Sequence, residues 1–218
     1  MKHRYGKPLV AGLLAALLSV AASAQEPSAG VALWNFDVYL NEKKVGTHVF
    51  KVSETGGLTF VSSEASFMYK ILFIPAYRYE HRAVERWSDN CLVEFDANTN
   101  ANGKYIHVSG EQAGAAFLVE RDDAPVALPE CVMTFAYWNP EFLRQPRLLN
   151  PQTGDYVDVS VEKQGAEVLQ INGEAVPATR FRLTAGEVDL TLWYSHDDQW
   201  LALQSVAKGG HIIRYELS

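Results

Sequence analysis

From Trp34 to the C-terminus, apolar and polar residues alternate with a period of two far more often than 3.6, and turn residues recur every eight to twelve positions. Alternation of that kind puts successive side chains on opposite faces of a strand. The chain is therefore read as all-β. Trp34, Phe36, Val38 and Leu40 share one face of a first strand, and Val45–Ser53 returns with His48, Phe50 and Val52 on one side. Thr55-Gly56-Gly57 makes the next reversal, because glycine takes the positive φ of a tight hairpin turn at little cost. Further strands are predicted at 58–66, 77–87, 91–97, 104–109 and 115–121, with 98–103 as a loop ending in Asn-Gly. After an interruption at Pro125 and Pro129 they resume at 156–163, 167–171, 178–184, 187–194, 199–207 and 211–217, and Gln164-Gly165 is among their connectors. The one helical signal is Asn139-Pro140-Glu141, with an N-cap, a proline at the first helical position and an acid in the first turn, ending before Pro146. About ten to twelve short strands must curl to protect their edges, so a meandering antiparallel barrel or half-barrel with one short helix is expected.

Residues 1–24 begin with the basic stretch MKHRYGK, continue through the apolar run Leu9–Val20 and end in Ala22-Ser23-Ala24, the pattern of a cleavable signal peptide. The apolar run is shorter than the roughly 20 residues needed to span a bilayer. A single β-barrel-like domain is expected over 25–218, exported, soluble after cleavage and with no later membrane span. The absence of Asn-x-Ser/Thr acceptors downstream suits a bacterial periplasm. The net charge of −7 becomes −10 without the leader, where 16 basic residues face 26 acidic ones. Such a surface repels phosphate backbones and argues against a nucleic-acid partner. In an oxidising compartment Cys91 and Cys131, the only cysteines, are a candidate disulfide, the alternative being two buried thiols. Closing a loop of about 40 residues would stabilise the fold by roughly 4 kcal/mol.

No established catalytic motif is present: there is no GxSxG, HExxH, Walker loop or GxGxxG. His48, His81, His107, His196 and His211 are scattered over separate strands and turns, so neither a metal site nor a cofactor is expected, and no residue is assigned a catalytic role. Asp197 and Asp198 read as turn residues. Two stretches break the alternation. Residues 67–77 (FMYKILFIPAY) are almost continuously apolar, and 132–138 (VMTFAYW) lead into the helix and Phe142-Leu143. They are either plugs at the ends of the barrel or the lining of a cavity, where clustered rings and Met give an adaptable apolar wall. On the second reading Tyr77, Tyr79, Phe135, Tyr137 and Trp138 line a ligand site, with Asn139 and Gln152 as polar handles. The charged positions Arg78, Glu80, Arg82, Glu85 and Arg86 form either a solvated outer face or a cation cluster for an anionic group.

The blocks Tyr137-Trp138-Asn139-Pro140 and Leu148-Leu149-Asn150-Pro151-Gln152-Thr153-Gly154, with the run from Leu192-Trp193-Tyr194 through Trp200 to 211–217, resemble an uncharacterised family of exported bacterial proteins, a domain of unknown function. The resemblance covers most of the mature chain and implies an antiparallel β-barrel or half-barrel built from consecutive hairpins. It carries no activity and no catalytic residue. The expected function is non-catalytic binding of a hydrophobic or amphipathic small molecule, such as a lipid or a lipid-modified partner. Two alternatives stand beside it: an enzyme for a small hydrophobic substrate, using His81 or His107 with a carboxylate, and an envelope scaffold whose partner is another protein.

Overall fold

A computed structural model describes residues 30–71, 74–121, 124–206 and 210–218, without the side chains of 70–76. The expected leader, 1–24, lies outside the described residues, as do residues 72–73 of the apolar stretch at 67–77. The described chain forms fifteen strands, more than the dozen read from the sequence. The additional ones are short: β8 (Val126–Pro129) and β9 (Arg147–Leu149) went unread, and β10 (Tyr156–Asp158) separates from β11 (Ser160–Ile171). Segments of three or four residues are too brief for alternation to show.

Thirteen strands make one antiparallel sheet. β11 and β12 (Glu174–Ala185) start it, β13 (Val188–Tyr194), β14 (Trp200–Val206) and β15 (Ile212–Leu217) follow, and β15 then pairs with β1 (Val31–Leu40). From there it runs through β2 (Lys43–Thr55), β3 (Leu58–Ile71), β4 (Ile74–Ser88), β5 (Cys91–Ala101), β6 (Lys104–Ala113) and β7 (Ala116–Glu120) to β8. The pairing Phe36 to Leu217 joins the two ends of the described chain, but β8 and β11 remain edges and the sheet is not closed. The fold is thus a half-barrel. The two-residue turns carry the positive φ that matches strand twist, as at Asn102 (54°) and Gly103 (89°). β5 continues to Ala101, so the loop expected at 98–103 shrinks to this pair. Gly165, read as part of a connector, lies within β11 at a register shift, a bulge rather than a reversal. The helix is a 3-10 turn, Pro140–Arg144, capped by Asn139 as expected.

After β8 the chain leaves the sheet and crosses its concave side. Val132, Met133, Ala136, Phe142, Leu148 and Leu149 are all buried there against the sheet. Cys91 and Cys131 form a disulfide that ties the start of this segment to the start of β5, and Leu92 N donates to Val132 O (3.0 Å) beside it. Within the sheet, register lines up inward-facing side chains in rows. Val52, Val61, Glu85, Phe95, Gly110 and Val119 form one such row across six strands. At its β5–β7 end the interior is solid: Phe95 and Phe117 stack at 6.1 Å, and a Cβ on Gly110 would stand 2.6 Å from each ring, so only glycine fits between them.

Candidate functional site

The other part of the interior is hollow. A cavity of about 380 Å³ lies between the inner faces of β2–β4, β13–β15 and the crossing segment. Two small side chains paired across β3 and β4, Ser63 and Ala83, share a row with Phe50 and leave room in the wall. Opposite them stand Phe135, Tyr137 and Trp138 from the crossing segment, with Asn150, Pro151 and Gln152 beside. Both distinctive blocks of the sequence therefore contribute to one wall of one cavity. The lining also contains Phe67, Val188, Leu190, Leu203 and Ile213, so it is mainly apolar. The volume is within the range of small-molecule sites.

Of the seven residues proposed from sequence, Tyr77, Tyr79, Phe135, Tyr137, Trp138 and Gln152 line this cavity. Asn139 does not. Its Oδ1 accepts from Glu141 N (3.1 Å) and its Nδ2 donates to Asn90 Oδ1 (2.9 Å), so capping the 3-10 turn occupies the side chain and removes it as a handle. Gln152 is a hydrogen-bond partner of Tyr79. The Tyr194 hydroxyl donates to Tyr137 O (2.7 Å), holding the crossing segment against β13. Trp138 stands edge-on to Trp87 at 5.6 Å.

Sequence reasoning missed the polar contributors His48, Ser63, Glu85, Asn150, Ser205 and Tyr215. His48 Nε2 lies 2.7 Å from Ser63 Oγ, and its Nδ1 is 3.4 Å from the Tyr215 hydroxyl. His81 Nδ1 lies 2.9 Å from Thr99 Oγ1. Burial disfavours the charged form of both rings, and His48 also feels His81, so their pKa values fall to about 3 and about 4. At neutral pH both are uncharged. Burial of Tyr79, Tyr137 and Tyr215 likewise drives their hydroxyls above the usual range and keeps them neutral.

Glu85 corrects the reading of β4. Its charge groups it with the outer face, yet it shares odd-numbered parity with Tyr77, Tyr79, His81 and Ala83 and lines the cavity with them. That parity was the available signal. Its Oε2 accepts from Trp87 Nε1 (3.0 Å) and its Oε1 from Thr134 Oγ1 (3.2 Å). Desolvation raises its pKa to about 7, against the lowering effect of these two hydrogen bonds. The remaining charged positions face outward and are paired: Arg78 with Glu80, Arg82 with Glu64 (3.3 Å) and Arg86 with Glu94 (2.6 Å). Neutralised in this way, they form a solvated face rather than a cation cluster.

The histidines do not assemble an acid–base pair with a carboxylate inside the cavity. His107 bonds Asp96 (2.7 Å), but on the exposed side of β5 and β6. His81 and Glu85 face the same cavity four positions apart, about 13 Å along an extended strand, beyond hydrogen-bond reach. Among the described residues no group of three or more His, Cys, Asp or Glu side chains could hold a metal ion. What the arrangement can do is enclose an apolar body and offer it neutral polar groups and one carboxyl.

These features define an antiparallel β half-barrel with a partly apolar cavity closed on one side by a disulfide-anchored segment. Residues 36–218 match the model of a domain of unknown function, DUF6134, and the chain belongs to that family. Its fold is similar to that of a β-barrel-like protein of the domain of unknown function DUF1849 from Brucella abortus, known from a crystal structure, with a TM-score of 0.63 and 7% identity over 85% of this chain and 94% of that one. The likeness establishes shared architecture. No curated protein matches the chain. No helix among the described residues is long and apolar enough to cross a membrane.

Proposed function

We propose that this protein binds a hydrophobic or amphipathic small molecule, of the size of a lipid fragment or short-chain amphiphile, in the half-barrel cavity and performs no chemistry on it. One observation carries the reading: a cavity of about 380 Å³, walled by residues from both distinctive sequence blocks, sits where a globular interior would otherwise be filled. Small residues at Ser63 and Ala83 maintain the space, so the hollow is encoded in the strands themselves. The leader pattern and the Cys91–Cys131 bridge support a periplasmic setting, in which a container for a sparingly soluble molecule has a use. Native mass spectrometry of the protein purified from the periplasm of a bacterial host tests the proposal. A co-purifying mass released by organic solvent is expected; a clean apo mass, with nothing in the extract, contradicts it.

A further inference from the structure

The cavity is asymmetric in charge. Its lining contains one carboxyl group, that of Glu85, and among the described residues no lysine or arginine. Its two imidazoles are buried and bonded to hydroxyls, His48 to Ser63 and His81 to Thr99, so they offer no positive charge at neutral pH. A carboxylate or phosphate head placed in this space would be desolvated without a counter-charge and would face Glu85. A cation would meet the opposite situation. Each Glu85 oxygen accepts one protein hydrogen bond, from Trp87 or Thr134, and keeps a lone pair for a further donor. The rings of Tyr137 and Trp138 belong to the same lining, and an aromatic face attracts cations and repels anions.

We infer that the ligand is an amphiphile with a cationic head, a protonated amine above all, whose head sits on the Glu85 carboxylate and whose aliphatic body lies along Phe135, Leu190 and Leu203. This rests on the reading of the cavity as a binding site for an amphipathic molecule. It also separates the site from one for fatty acids or phospholipid phosphates, which require a base that the described residues of the lining do not supply.

Three probes of equal tail length test the inference by calorimetry on the purified protein: octylamine, 1-octanol and octanoate, titrated above neutral pH so that Glu85 is ionised. Octylamine is expected to bind about tenfold more tightly than 1-octanol, as a charge-assisted hydrogen bond exceeds a neutral one, with octanoate weakest. Glu85→Gln is expected to bring octylamine down to the affinity of 1-octanol and leave 1-octanol unchanged. The ranking on the unaltered protein stands even if that variant fails to fold. Octanoate binding as tightly as octylamine, or an amine preference that survives Glu85→Gln, overturns the cationic assignment while leaving the cavity reading intact. Failure of all three probes to bind overturns both.

Discussion

Two parts of one interior are built by the same alternation and end differently. Toward β5–β7, inward positions carry Leu92, Phe95, Phe117 and Val119, all essentially inaccessible, and the crossing segment adds Phe142, Leu148 and Leu149 with no gap. Toward β2–β4 and β13–β15 the inward positions include His48, Ser63, His81, Ala83 and Glu85, and a cavity separates much of the crossing segment from the sheet, with Thr134 still bonded to Glu85. Both are continuous antiparallel ladders, and the register shifts of the hollow part, at Tyr69/Lys70 and Trp193/Tyr194, fall away from Ser63 and Ala83, so pairing does not account for the space there. The difference lies in side-chain volume and polarity at a few inward positions. A hollow in a β-sheet fold is thus written in the sizes of two or three residues, whereas the sheet that carries it is written in dozens.

The largest expected effect sets the two parts against each other. Phe117→Ala, in the solid part, is expected to cost about 3–5 kcal/mol by chemical denaturation. Ala83→Leu, which enlarges a buried side chain in the hollow part, is expected to cost less than about 1 kcal/mol, because it fills space rather than displacing neighbours. Equal penalties would erase the distinction. Next comes the anchor of the crossing segment: Cys131→Ser removes the bridge and is expected to lower stability by about 2–4 kcal/mol in the same assay.

Acid sensitivity arises in the hollow part. The unfolded chain protonates His48 and His81 near 6.5, while the folded protein does so only at about 3 and about 4, so their contribution is complete above 6.5 and is lost as pH falls. Glu85 opposes them. Raised from 4.5 to about 7, it holds in the folded state a proton that the unfolded chain has lost, so its contribution is complete below 4.5 and disappears as pH rises through 7. Between 4.5 and 6.5 the unfolded state holds two histidine protons against one Glu85 proton in the folded state. Stability from these groups should then rise with pH by about 1.4 kcal/mol per unit. Glu85→Gln removes the opposing group and should steepen the rise to about 2.7 kcal/mol per unit, measured by urea midpoints across that window. An unchanged slope would place Glu85 in water. The smallest effect is reserved for the outer face: Tyr105→Ser, at a residue 77% exposed, should change stability by no more than about 0.5 kcal/mol.

How far the sequence reached follows from what alternation encodes. It identifies long strands such as β4, and the primed turns, because each local choice there agrees with the fold. It could not place β8 or β9, which are too short for alternation to show, and it ran β10 into the strand read at 156–163. It singled out Tyr137 and Trp138 because their segment breaks the pattern, but it passed over Ser63 and Ala83, whose role is the volume they do not occupy. Asn139 was assigned two roles, cap and handle, that one side chain cannot fill together. Glu85 was misplaced because its charge outweighed its parity. The pairing of β15 with β1, which brings Tyr215 to His48, joins positions 167 residues apart and leaves no local trace.

The central claim is that the hollow part, and not the solid part, receives a ligand. Methyl-resolved NMR of the protein titrated with 1-octanol tests it most directly. The Ala83, Ala136, Leu190, Leu203 and Ile213 methyls, which line the cavity, should shift and saturate together, while those of Leu92, Val119 and Leu148 stay in place. Shifts spread evenly over both sets, or confined to surface methyls, would contradict the account.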